Sequence, residues 1–324
     1  MVMKVLFAGT PEVALPSLEL LAGDREHFEV VSVLTRPDAP SGRGRRLMPS
    51  PVKEAALRLG LPVLESDPSD PSFPDVVKAT GARYAAVVAY GRILRQPVLD
   101  ALEGGWYNLH FSLLPQWRGA APVQRSIWSG DTVTGATVFR LTKGMDEGPI
   151  LSQSTVEIGP DENAGQLLDR LAQDGSRLLA ASLEAVGEGR ARLVPQSPGA
   201  YEVARKITGE DAHIRFDVPA FAADRQIRAC TPEPGAWCLL HAEGGRDDTG
   251  LVLHVLRARP LPADDRAAPR DLPAGRLART KRQVWVGTKS NPLELLEVKP
   301  AGKKAMKAAD WARGARLADD AWCG

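Results

Sequence analysis

Asn108, His110 and Ser112 stand at alternate positions in an otherwise apolar run, and between them they offer an amide, an imidazole and a hydroxyl. On a strand, alternate residues share a face, so these three would point one way while Leu109 and Phe111 pack the other. A lone histidine in an apolar strand is usually core, but here a polar partner shares its face and the strand ends at once. Asn and His together suit an acyl oxygen that gains negative charge, where one well-placed donor contributes about 3 kcal/mol of transition-state stabilisation. Such a pair needs a carboxylate to fix the imidazole or manage a proton. Asp146 is the best downstream candidate, in the turn Lys143-Gly144-Met145-Asp146-Glu147-Gly148-Pro149, although acids between glycines also serve as plain turn chemistry. There is no Gly-x-Ser-x-Gly elbow, no cysteine near His110 in sequence, and no metal-ligand spacing among the 5 histidines. The set is therefore expected to transfer a group directly to a bound nucleophile, without covalent intermediate or metal.

The elements that must position these residues read as an α/β domain. Residues 4–8 form a first strand, apolar spacing over 13–21 a helix, and 29–35 a second strand, which together imply a right-handed parallel βαβ unit. The continuous apolar run at 84–90 predicts a central strand buried on both faces. It ends at Gly91, beside the strand bearing Asn108 and His110, so a ligand cleft belongs between the two carboxyl ends. Further elements are a helix over 123–128, a half-buried strand at 135–141, a strand at 150–156 and a long amphipathic helix over 164–186. The turn Gly9-Thr10-Pro11-Glu12-Val13-Ala14 lacks the Gly-x-Gly-x-x-Gly fingerprint, which disfavours a nicotinamide dehydrogenase.

A chain of 324 residues suggests two domains, and 44% hydrophobic with 25% charged residues is ordinary for a soluble globular protein. No apolar run approaches the roughly 18 residues of a membrane helix. Cys230, Cys238 and Cys323 lack metal-ligand spacing and cannot all pair, so a reducing cytoplasm is expected. The expected division is residues 1–189 as a Rossmann-like, open, mostly parallel sheet domain, 190–208 as a linker, and 209–324 as a small OB-like β-barrel. The barrel is read from short strands at 236–240, 251–256, 275–277, 284–288 and 293–298, after a helix over 219–230.

The net charge of +1 is spread thinly: residues 209–324 carry 19 Lys and Arg against 16 Asp and Glu. Any nucleic-acid partner must then be met by local clusters. One is the segment 36–49, where Arg36, Arg43, Arg45 and Arg46 sit among Gly and Pro in what reads as a long mobile loop suited to phosphate tracking. Others are Arg276, Arg279, Lys281 and Arg282, and then Lys299, Lys303, Lys304 and Lys307, which have an equally good reading as solvated surface.

Asn108-Leu109-His110-Phe111-Ser112-Leu113-Leu114-Pro115, followed by Arg118-Gly119, Pro122 and Asp146-Glu147-Gly148, resembles the signature of folate-dependent formyltransferases. Phe7-Ala8-Gly9-Thr10-Pro11, Gly42-Arg43-Gly44 with Leu47-Met48-Pro49-Ser50-Pro51-Val52-Lys53, and Pro300-Ala301-Gly302-Lys303-Lys304-Ala305-Met306 extend the resemblance over essentially the whole chain, toward members that act on charged initiator tRNA. The resemblance implies formyl transfer from 10-formyltetrahydrofolate to the α-amino group of methionine on that tRNA, for translation initiation. It carries the catalytic roles onto Asn108, His110 and Asp146. The folate site falls on Val88, Ala89, Tyr90, Gly91, Ile93 and Leu94, and on Ser112, Leu113, Leu114 and Pro115. Contacts to tRNA fall on Arg43, Arg45, Arg46, Lys303 and Lys304, and a monomer is expected. Two alternatives remain at this level: a relative that formylates a small amine or passes formyl to water, and a non-catalytic RNA-binding protein on the same fold.

Overall fold

The computed structural model describes residues 2–41, 46–242, 250–262 and 269–324. The chain divides into two compact units. The first comprises Met1–Pro122, Val133–Glu157 and Leu168–Ala204; the second comprises Val123–Thr132, Ile158–Leu167 and Arg205–Gly324.

The first unit is built on a seven-stranded sheet: β1 (Met3–Gly9), β2 (Phe28–Leu34), β3 (Val63–Leu64), β4 (Tyr84–Val88), β5 (Gly105–His110), β6 (Val133–Arg140) and β7 (Ile150–Glu157). Its order is β7-β6-β5-β4-β1-β2-β3. The pairs from β3 to β5 are parallel, and β6 and β7 add antiparallel at the edge. This is the mostly parallel Rossmann-like sheet expected from sequence. The order reverses between β1 and β4, and open α/β sheets bind ligands at such a switch point, outside the carboxyl ends of the strands. Here the two ends are bonded together, with the Thr10 hydroxyl donating to the Tyr90 carbonyl at 3.0 Å. Helices α1 (Leu15–Gly23), α2 (Pro51–Arg58), α3 (Phe73–Ala79) and α4 (Gln96–Leu99) connect the parallel strands.

Residues 36–49, expected as a structureless loop, are a hairpin stem where described: Ala39–Ser41 pairs antiparallel with Arg46–Met48. The short-range pairing went unseen because Pro40 and Pro49 argue against a strand. Lys53 holds the stem, reaching Asp38 at 2.7 Å and Glu65 at 2.9 Å. Ser50 caps α2 by accepting from the Lys53 amide at 3.0 Å, so the Ser50-Pro51-Val52-Lys53 motif has a local structural purpose. Arg43 and Arg45 lie outside the described residues.

The second unit is a nearly closed antiparallel barrel of β8 (Trp237–His241), β9 (Leu251–Pro260), β10 (Leu277–Arg279), β11 (Val284–Val286), β12 (Leu293–Pro300), β13 (Met306–Lys307) and β14 (Trp322–Cys323). The strand path is β10-β11-β12-β9-β8-β14, with β13 on β12. Backbone bonds bring its two ends together, Leu277 donating to Ala321 at 3.0 Å and Cys323 to Gly275 at 2.8 Å. Closure leaves little exposed strand edge. The C-terminal closing strand and the helix Ala308–Gly314 before it carry too few residues for a periodic signal, and sequence reading misses both. The helix Ala220–Cys230 also draws two excursions of chain into this unit: Arg225 donates to the Ser129 carbonyl at 3.4 Å and Arg228 to that of Glu162 at 3.1 Å.

Candidate active site

β5 runs between β4 and β6, with Asn108 opposite Val87 on one side and Phe139 on the other, and His110 opposite Thr137. The long helix Ala164–Gly187 covers one face: a Cβ at Gly175 would lie 3.0 Å from the Leu109 side chain. Leu109 thus packs under the helix while Asn108 and His110 share the opposite face. The strand stops at His110, earlier than the sequence reading allowed. Ser112 therefore is not on the strand, and its fully buried hydroxyl donates to the Gln116 carbonyl at 2.7 Å.

The loop after β5 is fixed from within. Thr137 donates to the Ser112 carbonyl at 2.6 Å and accepts from the Leu114 amide at 3.1 Å. Gln153 donates both to Thr137, at 2.9 Å, and to the Leu114 carbonyl, at 3.0 Å. Leu114-Pro115 is a cis peptide, and Trp117 sits at φ 61°.

His110 is 6% exposed. Its Nε2 lies 2.9 Å from the Trp117 carbonyl; a carbonyl only accepts, so this nitrogen carries a proton. Nδ1 faces the Asp146 carboxylate, 3.8 Å from Oδ2. The same Oδ2 accepts from the Gly119 amide at 2.8 Å, which aims the carboxylate from a residue held at φ 53°. Burial pushes the His110 pKa down, against the upward pull of Asp146 and of the Trp117 carbonyl. Burial thus favours the neutral imidazole, with Nδ1 turned toward the carboxylate. The Asn108 amide makes no hydrogen bond among the described residues and is half-buried.

The segments expected to hold folate flank this face. At the end of β4, Ala89 at φ 48° and Gly91 at φ 79° turn the chain outward. Ile93 is left 87% exposed, while Tyr90 and Leu94 are buried with Val88. Burial raises the Tyr90 phenol to about 12, so it stays neutral. On the other flank Leu114 is buried and Leu113 and Pro115 half-buried. Of the residues expected to touch tRNA, Arg46, Lys303 and Lys304 are exposed, the two lysines in the turn between β12 and β13.

Sequence reading missed Gln196, which lies in the aperiodic segment read as a linker. The boundary between the units falls inside that segment, and up to Ala204 it is bonded into the first unit. Val194 exchanges both backbone bonds with Ile150, at 2.7 and 2.8 Å, and the Ala204 carbonyl accepts from Ala120 at 2.8 Å and Ala121 at 3.1 Å. Val203–Ala204 pairs with Arg118–Gly119. Gly119, at φ 121°, permits this approach, since a Cβ there would lie 2.8 Å from the Ala204 oxygen.

Residues 3–183 match the formyl transferase family and residues 206–316 its C-terminal domain; the chain belongs to this family. Within it, the chain is 68% identical to the methionyl-tRNA formyltransferase of Bifidobacterium adolescentis, over 99% of each chain. It is 49% identical to that of Thermobifida fusca, over 98% of each. The N-formyltransferase of Helicobacter canadensis, solved with folinic acid and dTDP-3-aminofucose, shares the fold at a TM-score of 0.61 and 15% identity, over 91% of this chain and 99% of that one.

Proposed function

We infer that the protein transfers the formyl group of 10-formyltetrahydrofolate to the α-amino group of methionine on initiator tRNA, acting as a monomer in the cytoplasm. No helix among the described residues is long and apolar enough to cross a membrane. The acceptor follows from high identity to methionyl-tRNA formyltransferases across both units. A small amine as acceptor gains no support from these relatives, whose identity to this chain extends over 99% of each chain. The intact Asn108, His110 and Asp146 argue against a purely binding role.

The chemistry rests on one observation, the buried imidazole held by a carbonyl at Nε2 and faced by a carboxylate at Nδ1. The donor supplies a formyl carbon and an amine that leaves as a neutral nitrogen. A free α-amino group titrates at about 7.7 to 8.0, so that of the methionyl ester is appreciably neutral at cellular pH and needs only modest help from a base. As it attacks, Asn108 donates to the formyl oxygen that gains charge. His110 Nδ1 takes the proton that the new C–N bond acidifies, and Asp146 stabilises the imidazolium so formed. The same proton then goes to the nitrogen that departs, which returns His110 to its neutral state. Donor contacts from Val88 to Leu94 and from Ser112 to Pro115, and tRNA contacts from Arg43, Arg45, Arg46, Lys303 and Lys304, complete the proposal. Its test is Asp146→Asn, which keeps the shape and one acceptor oxygen but removes the charge. Turnover should fall by a factor on the order of 10² with donor affinity retained; wild-type turnover would remove Asp146 from the mechanism.

A further inference from the structure

We propose that Gln196 is a positioning residue for the transfer reaction, holding Asp146 in place against His110 by tying the turn that bears it to the loop that follows β5. The proposal rests on the reading of Asp146 as part of the active site.

The Gln196 carboxamide is fully used. Its Nε2 donates to the carbonyl of Asp146 at 2.7 Å and to that of Gly148 at 2.9 Å. Its Oε1 accepts from Arg118, Nε at 3.0 Å and Nη2 at 2.6 Å. A primary amide has two donor hydrogens and two acceptor lone pairs, and all four are engaged. They join three segments distant in sequence, 50 positions from Gln196 to Asp146 and 78 to Arg118. Arg118 is itself held, its guanidinium 3.7 Å from Glu147 and 6.0 Å from the centre of the Tyr201 ring.

The turn needs such a tie. Asp146 occupies a left-handed conformation at φ 53°, Met145 is 58% exposed and Glu147 is exposed even where it meets Arg118, so apolar packing does little to hold this segment. Within it, the Gly119 amide gives the carboxylate its one hydrogen bond among the described residues, whereas the main chain beneath it is placed by Gln196. Gly119 follows Arg118, the residue that Gln196 grips on its other side. One side chain therefore sets both the backbone that carries the carboxylate and the backbone that donates to it. Main-chain bonds of Val194 and Ala204 fix the segment on either side of Gln196, so the amide is presented from a braced stretch of chain.

The test is a double-mutant cycle on the full chain. Gln196→Ala should lower kcat by about 10- to 100-fold, the cost of a small misplacement at a reacting centre, with KM for the donor unchanged. Gln196→Glu keeps the size and the Arg118 contact but offers no hydrogen to the two carbonyls, so it should be as impaired as Gln196→Ala. In an Asp146→Asn background, Gln196→Ala should cost less than about twofold further, because the two changes act through one group. Rates are referred to donor-binding sites counted by equilibrium titration, which removes misfolded protein from the comparison. Wild-type kcat in either Gln196 variant, or losses that multiply in the double variant, would overturn the proposal. Wild-type kcat in Asp146→Asn alone would instead remove the site reading on which it stands.

Discussion

At the residue scale, the polar groups of the candidate site have defined surroundings. The Trp117 carbonyl fixes which nitrogen of His110 is protonated, Gly119 aims Asp146, and the Asn108 amide is left without a protein partner among the described residues. Asn108→Ala should therefore cut kcat by roughly 10² to 10³ with little change in donor affinity, as for other lost oxyanion donors; steady-state kinetics with parallel donor titration checks it. His110 also leaves a mark on stability. Its folded-state pKa lies below the ordinary 6.5, so as pH falls the unfolded chain takes the proton first. Its contribution is full above about pH 6.5 and is lost as pH drops through the window beneath that value. His27 acts in the opposite sense, since Asp24 raises its pKa and its contribution fades as pH climbs through the raised value. The difference in denaturation midpoint between wild type and His110→Gln cancels His27. That difference should shrink on moving from pH 7.5 toward 5, and a flat difference would mean that the imidazole is not held neutral.

At the element scale, the loop from Ser112 to Gly119 is as much a product of β6 and β7 as of its own sequence. Thr137 and Gln153 point from those strands into the loop and satisfy its buried polar groups. Thr137→Val keeps the shape and strands those partners, so it should destabilise by about 2 kcal/mol, a fall in Tm of roughly 4 to 8 °C; a calorimetric scan decides. Strand period and the end of the apolar run at Gly91 made β4, β5 and the shared face of Asn108 and His110 legible in the sequence. Asp146 was legible locally as a candidate carboxylate in a turn, and the resemblance assigned it to the site, because nothing local says which strand the turn will meet. Ser112 was misplaced on the strand because alternation continues in the letters after the backbone has turned. Gln196 carried no signal at all: two of its partners are backbone carbonyls, which every residue possesses, and the third, the Arg118 side chain, lies 78 positions away, brought near by pairing of Val203–Ala204 with Arg118–Gly119.

At the scale of the whole molecule, the proposed site lies on the sheet, and the barrel bears exposed cations at Arg279, Lys281, Arg282, Lys303 and Lys304. With a net charge of only +1, attraction for tRNA must come from such clusters. KM for charged tRNA should then rise on the order of tenfold or more between about 50 and 200 mM salt, while KM for the donor moves little. Arg43→Ala should weaken transfer to tRNA and leave donor binding intact, checked by parallel titrations of the two substrates. The most direct test is single-turnover formylation by the purified protein with 10-formyltetrahydrofolate and either methionyl initiator tRNA, the same tRNA uncharged, or free methionine. A formyl group is expected on the methionyl α-nitrogen at a rate reduced at least about 100-fold by Asn108→Ala, and none on uncharged tRNA. Equal formylation of free methionine, or a rate indifferent to Asn108, would contradict that expectation.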